Sequence, residues 1–497
     1  MKTSEKSNSY IHILKYAGLF GGVQGLNILI SLIRNKFVAI LLGPGGMGLV
    51  SLFNSTVKLL SDSTNMGISM TATRDISEAY ATGDSARLAD SVEMVRSWSL
   101  MTALFGLVVC LVLSPFLDSW TFNWGDHTLH YILLSPVVSF AAITGGELAI
   151  LKGTRKLKQL ALVTVYGVVG SLIFSIPLYY VWGESAIVPS LLIVAVVQMS
   201  LTVGFSYKNH PIRLSMRKTT LEGGSKMLRL GFAYMLAGVF GSGAEFVIRS
   251  FLNKQGSLDL VGLYNVGYMM AMVYAGMIFS AMETDYFPRL SSIAEVGKEL
   301  YSMVNKQIEV ILLLAAPTLL TFIVVAPILL PLLFSVKFLP VLTMLRILLL
   351  AMYFRALILP VEYINLARSN SKWYLILELV YDVMITLGVM IGFKTFGLIG
   401  TGVAWLVVMI LNALFVLVFA YAKYRFTLSY SVLRMLFLQF ALGVIAFALD
   451  ILSDGWCYWL LGLALIALSA GISMVFLRDK IPVKDILVTM FKSRGND

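Results

Sequence analysis

Basic side chains inside long apolar segments are the residues of this sequence that could do chemistry. Arg34, Lys58 and Arg249 each interrupt an otherwise apolar run. A charge at the centre of a membrane-spanning helix costs about 2.5–3.5 kcal/mol on insertion scales, so such residues mark functional sites by default. Guanidinium and ammonium groups bind phosphate oxygens through charge-assisted hydrogen bonds. These residues therefore predict a basic cavity for an anionic headgroup.

Polar residues recur on the helix faces that carry these charges. On a helical wheel Asn27 lies about 20° from Arg34, so the two share one face. Ser51 and Asp62 lie within about 60° of Lys58 on the next predicted helix. Such faces are too polar to contact lipid, so we expect them to line a cavity.

Acidic residues accompany two of the three cations. Lys58–Asp62 and Glu245–Arg249 are both pairs of opposite charge four residues apart. Each pair could simply neutralise itself so that its helix inserts, or its acid could set the charge of a binding cavity and couple it to an ion. Arg34 has no acid three or four residues away, so self-neutralisation does not explain it.

Two further arginines lie on one later helix. Arg346 and Arg355 are nine residues apart and hence about 180° apart on the wheel, so they cannot both face one cavity. Arg355 is the deeper and the favoured candidate. Glu378 and Asp382 form an acidic stripe on the following helix. They could neutralise Arg355 or take a coupling cation.

The elements that position these residues are membrane-spanning helices. The 497 residues are 58% hydrophobic and only 13% charged, whereas soluble domains carry about 25% charged residues. The apolar runs are about 20 residues long, as spanning helices require, which excludes a strand-based barrel. The sequence therefore predicts an all-α polytopic membrane protein.

Hydropathy predicts about fourteen spans. They cover residues 13–42, 46–72, 94–117, 128–151, 159–182, 185–206, 228–252, 259–284, 306–334, 339–364, 373–393, 397–421, 430–450 and 456–477. The N-terminus, C-terminus and alternate loops hold 29 of the 38 basic residues, against 3 in the opposite loops. By the positive-inside rule both termini are cytoplasmic. The net charge of +11 then reflects topology, and we expect no nucleic-acid partner.

An internal repeat divides the chain. A shift of 215 residues superposes Arg34 on Arg249 and Arg74 on Arg289. The repeat predicts two parallel six-helix lobes with a substrate site between them near the membrane midplane. The predicted organisation is an N-terminal lobe over residues 1–206, a cytoplasmic linker over 207–227, a C-terminal lobe over 228–422, two further helices over 423–478 and a cytoplasmic tail over 479–497.

The pattern resembles a known family. Six plus six helices, an arginine late in the first span, and LLGPGGMGLVSLFNS followed by TRDIS resemble bacterial lipid-linked polysaccharide flippases of the O-antigen (Wzx) type. These belong to the multidrug/oligosaccharidyl-lipid/polysaccharide (MOP) superfamily, and the chain is similar to flippases of the enterobacterial common antigen. The two extra helices resemble those of fourteen-helix members such as the lipid II flippase.

The resemblance implies a V-shaped transporter in the bacterial inner membrane. It would flip undecaprenyl-diphosphate-linked oligosaccharide to the periplasmic leaflet by alternating access. The residues expected to bind substrate are Arg34, Lys58, Arg249, Arg355, Arg346 and Asn27, and those expected to couple or balance charge are Asp62, Glu245, Glu378 and Asp382. We expect a monomer without cofactor or metal, coupled to a proton or a sodium ion, with a polysaccharide polymerase and a chain-length regulator as candidate partners.

Other functions predict other features. A lipid II flippase would need the same diphosphate chemistry and stays an alternative. A multidrug antiporter would favour acids in its cavity for cationic drugs, whereas the predicted cavity is basic. A polysaccharide polymerase or ligase resembles polytopic enzymes with a large outer loop, and this sequence has none. No spacing of histidines, cysteines or carboxylates predicts a catalytic centre. We therefore expect a transporter.

Overall fold

The chain folds into a series of α-helices in a computed structural model that describes residues 2–211, 218–293, 295–368, 370–452 and 455–478. The helices of the first half are α1 Lys2–Thr64, α2 Ile68–Ala81, α3 Ser85–Thr121, α4 Thr128–Gly153, α5 Leu157–Trp182, α6 Ile187–Tyr207 and α7 Lys218–Gln255. Those of the second half are α8 Leu258–Tyr268, α9 Met277–Ser292, α10 Lys298–Leu333, α11 Leu342–Ala367, α12 Ser371–Tyr424, α13 Tyr430–Leu452 and α14 Gly455–Arg478. A π-helical segment, Met269–Ala275, joins α8 to α9.

Within the described residues, eleven helical stretches are long and apolar enough to cross a membrane. The all-α membrane fold expected from composition is therefore confirmed. Three of these stretches contain an interruption: at Gly43, at the 3₁₀ helix Gly183–Ala186 and at Phe396–Gly397. The sequence predicts a boundary between two spans at each of these places. The total of about fourteen spans stays a prediction.

Gly43 breaks α1 where the sequence predicts a tight turn. Its φ of 66° and ψ of −167° are open to glycine but strained for residues with a Cβ. Pro44 follows at once and has no backbone N–H to donate to the preceding turn. The helix resumes after this break and carries Ser51, Lys58 and Asp62.

One compact unit comprises residues 1–262 and 332–337. In it α7 packs along α1, α2 and α3. Glycines permit the close backbone approaches: a Cβ at Gly48 would lie 2.1 Å from the Leu258 carbonyl oxygen, and one at Gly67 would lie 2.2 Å from that of Gly231. The lobe boundary expected at 207–227 comes from sequence symmetry and stays a prediction, whereas packing joins α7 to α1, α2 and α3.

The helix α2 and the first turns of α3 form one segment with a buried face and an exposed face. Asp84 caps α3 by accepting hydrogen bonds from the backbone N–H groups of Ala86 and Arg87. The buried face of the segment joins a cluster of Ile68, Ala72, Ile76, Val92, Val95, Ala149 and Ile150. This cluster fixes α2 and α3 on the end of α4.

The other unit comprises residues 263–331 and 338–497, with α11 packed against α12 and α13. The Tyr286 hydroxyl donates to the Pro360 carbonyl, which ties α9 to α11. A Cβ at Gly462 would lie 2.6 Å from Val324, so α14 packs closely on α10. Residues 212–217 of the predicted linker and the tail from 479 onward lie outside the described residues.

Candidate functional site

A chain of four polar residues joins α1 to α7. The Arg249 guanidinium donates from Nε to Ser51 Oγ at 2.7 Å. Its NH1 donates to Glu245 Oε2 at 3.2 Å, and Lys58 Nζ lies 3.1 Å from Glu245 Oε1. Glu245 therefore bridges two cations, one on its own helix and one on α1. The expected Glu245–Arg249 contact is present.

The partner of Lys58 is Glu245 rather than Asp62, the acid four residues along its own helix. The packing of α7 on α1 explains this, because it brings Glu245 directly to the ammonium. Asp62 lies against α7 instead: a Cβ at Gly238 would be 3.6 Å from the Asp62 carboxyl carbon. The structure thus brings together four of the predicted site residues.

The exposed fraction of the side chain differs sharply among the charged residues of this cluster. The Arg249 side chain is 7% exposed, that of Glu245 27% and that of Lys58 53%. An ammonium has three donors, and the contact with Glu245 uses one of them. The Lys58 ammonium is therefore the accessible cation of the cluster. The buried Arg249 pairs with the other carboxylate oxygen of Glu245.

Arg34 and Asn27 lie on the first part of α1, and both are partly buried. Arg34 Nε and Asn27 Oδ1 are buried atoms without a hydrogen-bond partner among the described side chains. A buried donor left unpaired costs about 1–3 kcal/mol, more where the group is charged. This face therefore presents a hydrogen-bond donor and an acceptor that a ligand could pair with.

Arg346 is buried within helix packing, at 1% exposure. Its Nε donates to the Ile323 carbonyl of α10 at 3.2 Å, and its NH2 donates to the Tyr458 hydroxyl of α14 at 2.9 Å. The guanidinium also lies over the Tyr458 ring, 5.8 Å from its centroid. Arg346 therefore joins three helices of its unit.

Arg355 lies on another part of α11 and lines a cavity of about 100 Å³. The carboxyl groups of Glu362 and Glu378 line the same cavity, together with Tyr381 and Asn412 among others. Arg355 NH1 lies 3.4 Å from the sulfur of Met272, and its Nε is buried without a hydrogen-bond partner among the described residues. This cavity holds two carboxyl groups and one guanidinium.

Asp382 does not line that cavity. It lies on α12 one turn beyond Glu378 and is buried, at 9% exposure. The acidic stripe expected from sequence is therefore divided, with Glu378 at the cavity and Asp382 away from it.

The largest omission of the sequence analysis is a buried ion pair between α3 and α4. Arg96, counted from sequence among the basic residues of the cytoplasmic side, donates to both carboxylate oxygens of Glu147, at 2.8 and 3.3 Å. The same guanidinium donates to the carbonyls of His210 and Pro211, each at 3.0 Å, and lies 4.1 Å from the centroid of the Tyr207 ring. The unpartnered acid at 147 within an apolar run was the available signal.

The pKa of His210, which lies outside the spans, is affected by this cluster. Burial, and then the positive charges of Arg96 and Lys156, lower the pKa of His210 from its ordinary value.

Within the described residues, no group of three or more His, Cys, Asp and Glu side chains is arranged to hold a metal ion. The chemistry available in the cluster on α1 and α7 is therefore charge pairing and hydrogen bonding.

Comparison with known proteins identifies a matching family and structures of similar fold. Residues 37–343 match the family described as "Polysaccharide biosynthesis protein". No curated protein sequence matches the chain significantly.

Solved structures match over most of the chain. The lipid II flippase MurJ in an inward closed conformation has a TM-score of 0.65 and 13% identity, covering 93% of this chain and 99% of MurJ. A multidrug resistance MATE family transporter of the MOP superfamily in an inward-facing conformation has a TM-score of 0.58 and 18% identity, covering 80% and 95%. An outward-facing MATE structure gives 0.57 and 15%, covering 83% and 96%. Likeness at such identities establishes the fold that this chain shares with these structures.

Proposed function

This chain belongs to the polysaccharide biosynthesis protein family, and from that premise we propose that it flips undecaprenyl-diphosphate-linked oligosaccharide across a bacterial inner membrane. The family, together with the fold shared with MurJ and MATE structures, supports a membrane flippase or transporter of polysaccharide biosynthesis. The repeat unit of an O-antigen, a common antigen or a capsule would be the cargo. The protein acts as a transporter and not as an enzyme.

The observation that carries the proposal is the accessible ammonium of Lys58, whose partner carboxylate, Glu245, also pairs with Arg249. A diphosphate in a membrane needs cationic donors, because its charge is costly to bury unpaired. Lys58 is half exposed while its partner Glu245 is also held by Arg249. A phosphate oxygen can therefore take the free donors of Lys58 without dismantling the cluster.

The charge balance of the cluster suggests how transport is coupled. Lys58 and Arg249 carry two positive charges, and Glu245 and Asp62 carry two negative charges when ionised. An arriving diphosphate makes the site strongly negative, so binding of the anion would be accompanied by a cation that balances its charge. Glu245 and Asp62 are the candidates to hold that cation, which could be a proton. A sodium ion could balance the charge in the same way.

Arg34 and Asn27 extend the proposed site along α1. Their buried, unpartnered polar atoms would be satisfied by phosphate oxygens or sugar hydroxyls. Arg355, with Glu362, Glu378 and Asp382, is proposed to balance charge in the second unit. The contacts of Arg346 with Ile323 and Tyr458 support a packing role.

The proposal includes an orientation and partners. The bias of basic residues towards alternate loops supports cytoplasmic termini. A polymerase that joins the flipped units, and the regulator of its chain length, would act on the product at the outer face. Lipid II carries the same diphosphate, so the flipping assay should offer both lipids.

The direct test is flipping of a fluorescent undecaprenyl-diphosphate-linked saccharide in proteoliposomes, with and without a proton or sodium gradient. Lys58→Ala should lower the flipping rate about tenfold or more, because a hydrogen bond to a charged group contributes about 1.5–3 kcal/mol. Lys58→Arg should retain most of the rate, since guanidinium also binds phosphate. Lys36→Ala, on the same helix but outside the cluster, is the matched control. Flipping at the unaltered rate by Lys58→Ala would refute the proposed site.

Arg34→Ala tests the extension of the site in cells. We expect loss of surface polysaccharide while membrane insertion and protein level stay unchanged, because the Nε of Arg34 makes no hydrogen bond that the substitution would break. Surface polysaccharide is measured by gel and the protein by immunoblot of membranes. Normal polysaccharide at unchanged expression would remove Arg34 from the site.

A further inference from the structure

A second, larger cavity lies in the same unit as the Arg355 cavity, at the start of α10. Its volume is about 710 Å³, and it is lined by residues of α10 from Tyr301 to Leu313 and by residues 427–429 of the connection between α12 and α13. Along this stretch α10 changes from polar residues to an apolar run. That change of composition is typical of the membrane–water interface. The basic residues Lys298, Lys306, Lys423 and Arg425 predict that this end is cytoplasmic.

The wall formed by residues 424–429 is fixed by hydrogen bonds to α10. Asn305 Nδ2 donates to the Tyr301 and Thr427 carbonyls at 2.9 and 3.1 Å, and its Oδ1 accepts from the Ser429 N–H at 2.7 Å. The Tyr301 hydroxyl donates to the Tyr424 carbonyl. The ring of Phe426, itself buried, packs edge-on against that of Tyr301 at 6.0 Å. The cavity is therefore preformed, which lowers the entropic cost of binding a ligand.

Two opposite charges line the cavity one helical turn apart. Lys306 is exposed, whereas Glu309 is buried at 6% exposure. Side chains three residues apart on a helix are neighbours, about 5–6 Å between Cβ atoms. Val310, Leu313 and Leu428 supply apolar lining beside them. A ligand that matches this lining has one negative group, one positive group and a hydrocarbon part.

We propose that this cavity binds a phospholipid with a primary ammonium headgroup, of the phosphatidylethanolamine type. The headgroup phosphate would pair with the Lys306 ammonium, and the headgroup ammonium would donate hydrogen bonds to the Glu309 carboxylate. The start of an acyl chain would lie along Val310 and Leu313. A purely anionic lipid would place its charge beside Glu309, and a choline headgroup has no N–H to donate to it.

Lipid retention during purification tests this binding without any transport measurement. The protein is extracted in mild detergent, exchanged into mixed micelles with equal amounts of phosphatidylethanolamine, phosphatidylcholine and phosphatidylglycerol, and analysed by native mass spectrometry. We expect the protein to retain phosphatidylethanolamine at least about tenfold more than either other lipid. Equal retention of the three lipids, preference for phosphatidylglycerol or retention of none would overturn the proposal.

Four variants locate the site. Val310→Trp should fill the cavity and abolish selective retention, whereas Leu314→Trp, on the exposed side of the same helix at 54% exposure, should leave it intact. Lys306→Ala should weaken retention of every phosphate headgroup about tenfold. Glu309→Gln should remove the preference over phosphatidylcholine. Selective retention that survives Val310→Trp would place the lipid elsewhere and refute the site.

Discussion

Two ion-pair clusters of the first unit use the same residue types in opposite ways. The Arg96–Glu147 pair is closed: its side chains are 2% and 3% exposed, and the guanidinium also serves two backbone carbonyls. The cluster of Lys58, Glu245 and Arg249 is closed at Arg249 and open at Lys58, which is 53% exposed. A cation enclosed by its partners holds helices together, and one with accessible donors can bind a ligand.

The comparison teaches that depth in an apolar run does not by itself identify a binding residue. Arg96 and Arg346 are as deeply buried as any charge in the described part of the chain, and both serve packing. The distinguishing property is whether donors remain accessible to a ligand, as they do at Lys58. That property depends on neighbouring helices and is measurable by substitution.

The largest effect should come from breaking the closed pair. Glu147→Ala leaves the buried Arg96 guanidinium without its carboxylate, and removing one partner of a buried pair costs about 3–5 kcal/mol. We expect a strong fall in the thermal unfolding midpoint in detergent. Glu78→Ala, which breaks the exposed Arg74–Glu78 pair, is the control and should cost about 1 kcal/mol or less. Similar losses in the two variants would contradict the assignment of Arg96 as a structural residue.

An intermediate effect should follow Arg249→Met. The change removes the ion pair with Glu245 and the hydrogen bond to Ser51, but Glu245 keeps its contact with Lys58. We expect a loss of about 1–3 kcal/mol, measured as a shift of the same unfolding midpoint. Flipping should fall less than in Lys58→Ala. Flipping lost equally in the two variants would mean that Arg249 itself meets the substrate.

The smallest effect concerns pH and the residue beside the closed pair. The folded protein lowers the pKa of His210 by burial and by the charges of Arg96 and Lys156, so the imidazole stays neutral where the unfolded chain, near pH 6.5, begins to bind a proton. The stability that this difference contributes is present above pH 6.5 and is lost as the pH falls below it towards the folded pKa. Unfolding midpoints at pH 7.5 and 5.5 should therefore differ less for His210→Gln than for the unaltered protein. An identical difference would show that His210 takes no part.

Sequence patterns predicted the features that depend on one helix at a time. Apolar runs gave the membrane class, glycine at position 43 lies at a predicted boundary, and the spacing of Glu245 and Arg249 gave a contact that the structure contains. The wheel also placed Ser51 on the face of Lys58, and both contact α7.

Features that depend on two helices could not be obtained in this way. Glu245 reaches Lys58 across 187 residues, and Arg96 reaches Glu147 across 51, because of packing between helices. Helical periodicity has no information on which faces meet. For the same reason the spacing of Arg346 and Arg355 could separate their faces but could not say that Tyr458 would meet the first of them.

The Arg346–Tyr458 contact has a consequence for synthesis of the protein. The two residues are 112 positions apart, and Tyr458 belongs to the last described helix. At translation rates of about 5–20 residues per second, roughly 6–22 seconds pass between synthesis of Arg346 and synthesis of Tyr458, whose hydroxyl accepts from the guanidinium. During that interval the Ile323 carbonyl of α10 is already present to accept from the arginine. Ribosome pausing between α11 and α14 should lengthen the exposure of this charge to the insertion machinery and to quality-control proteases.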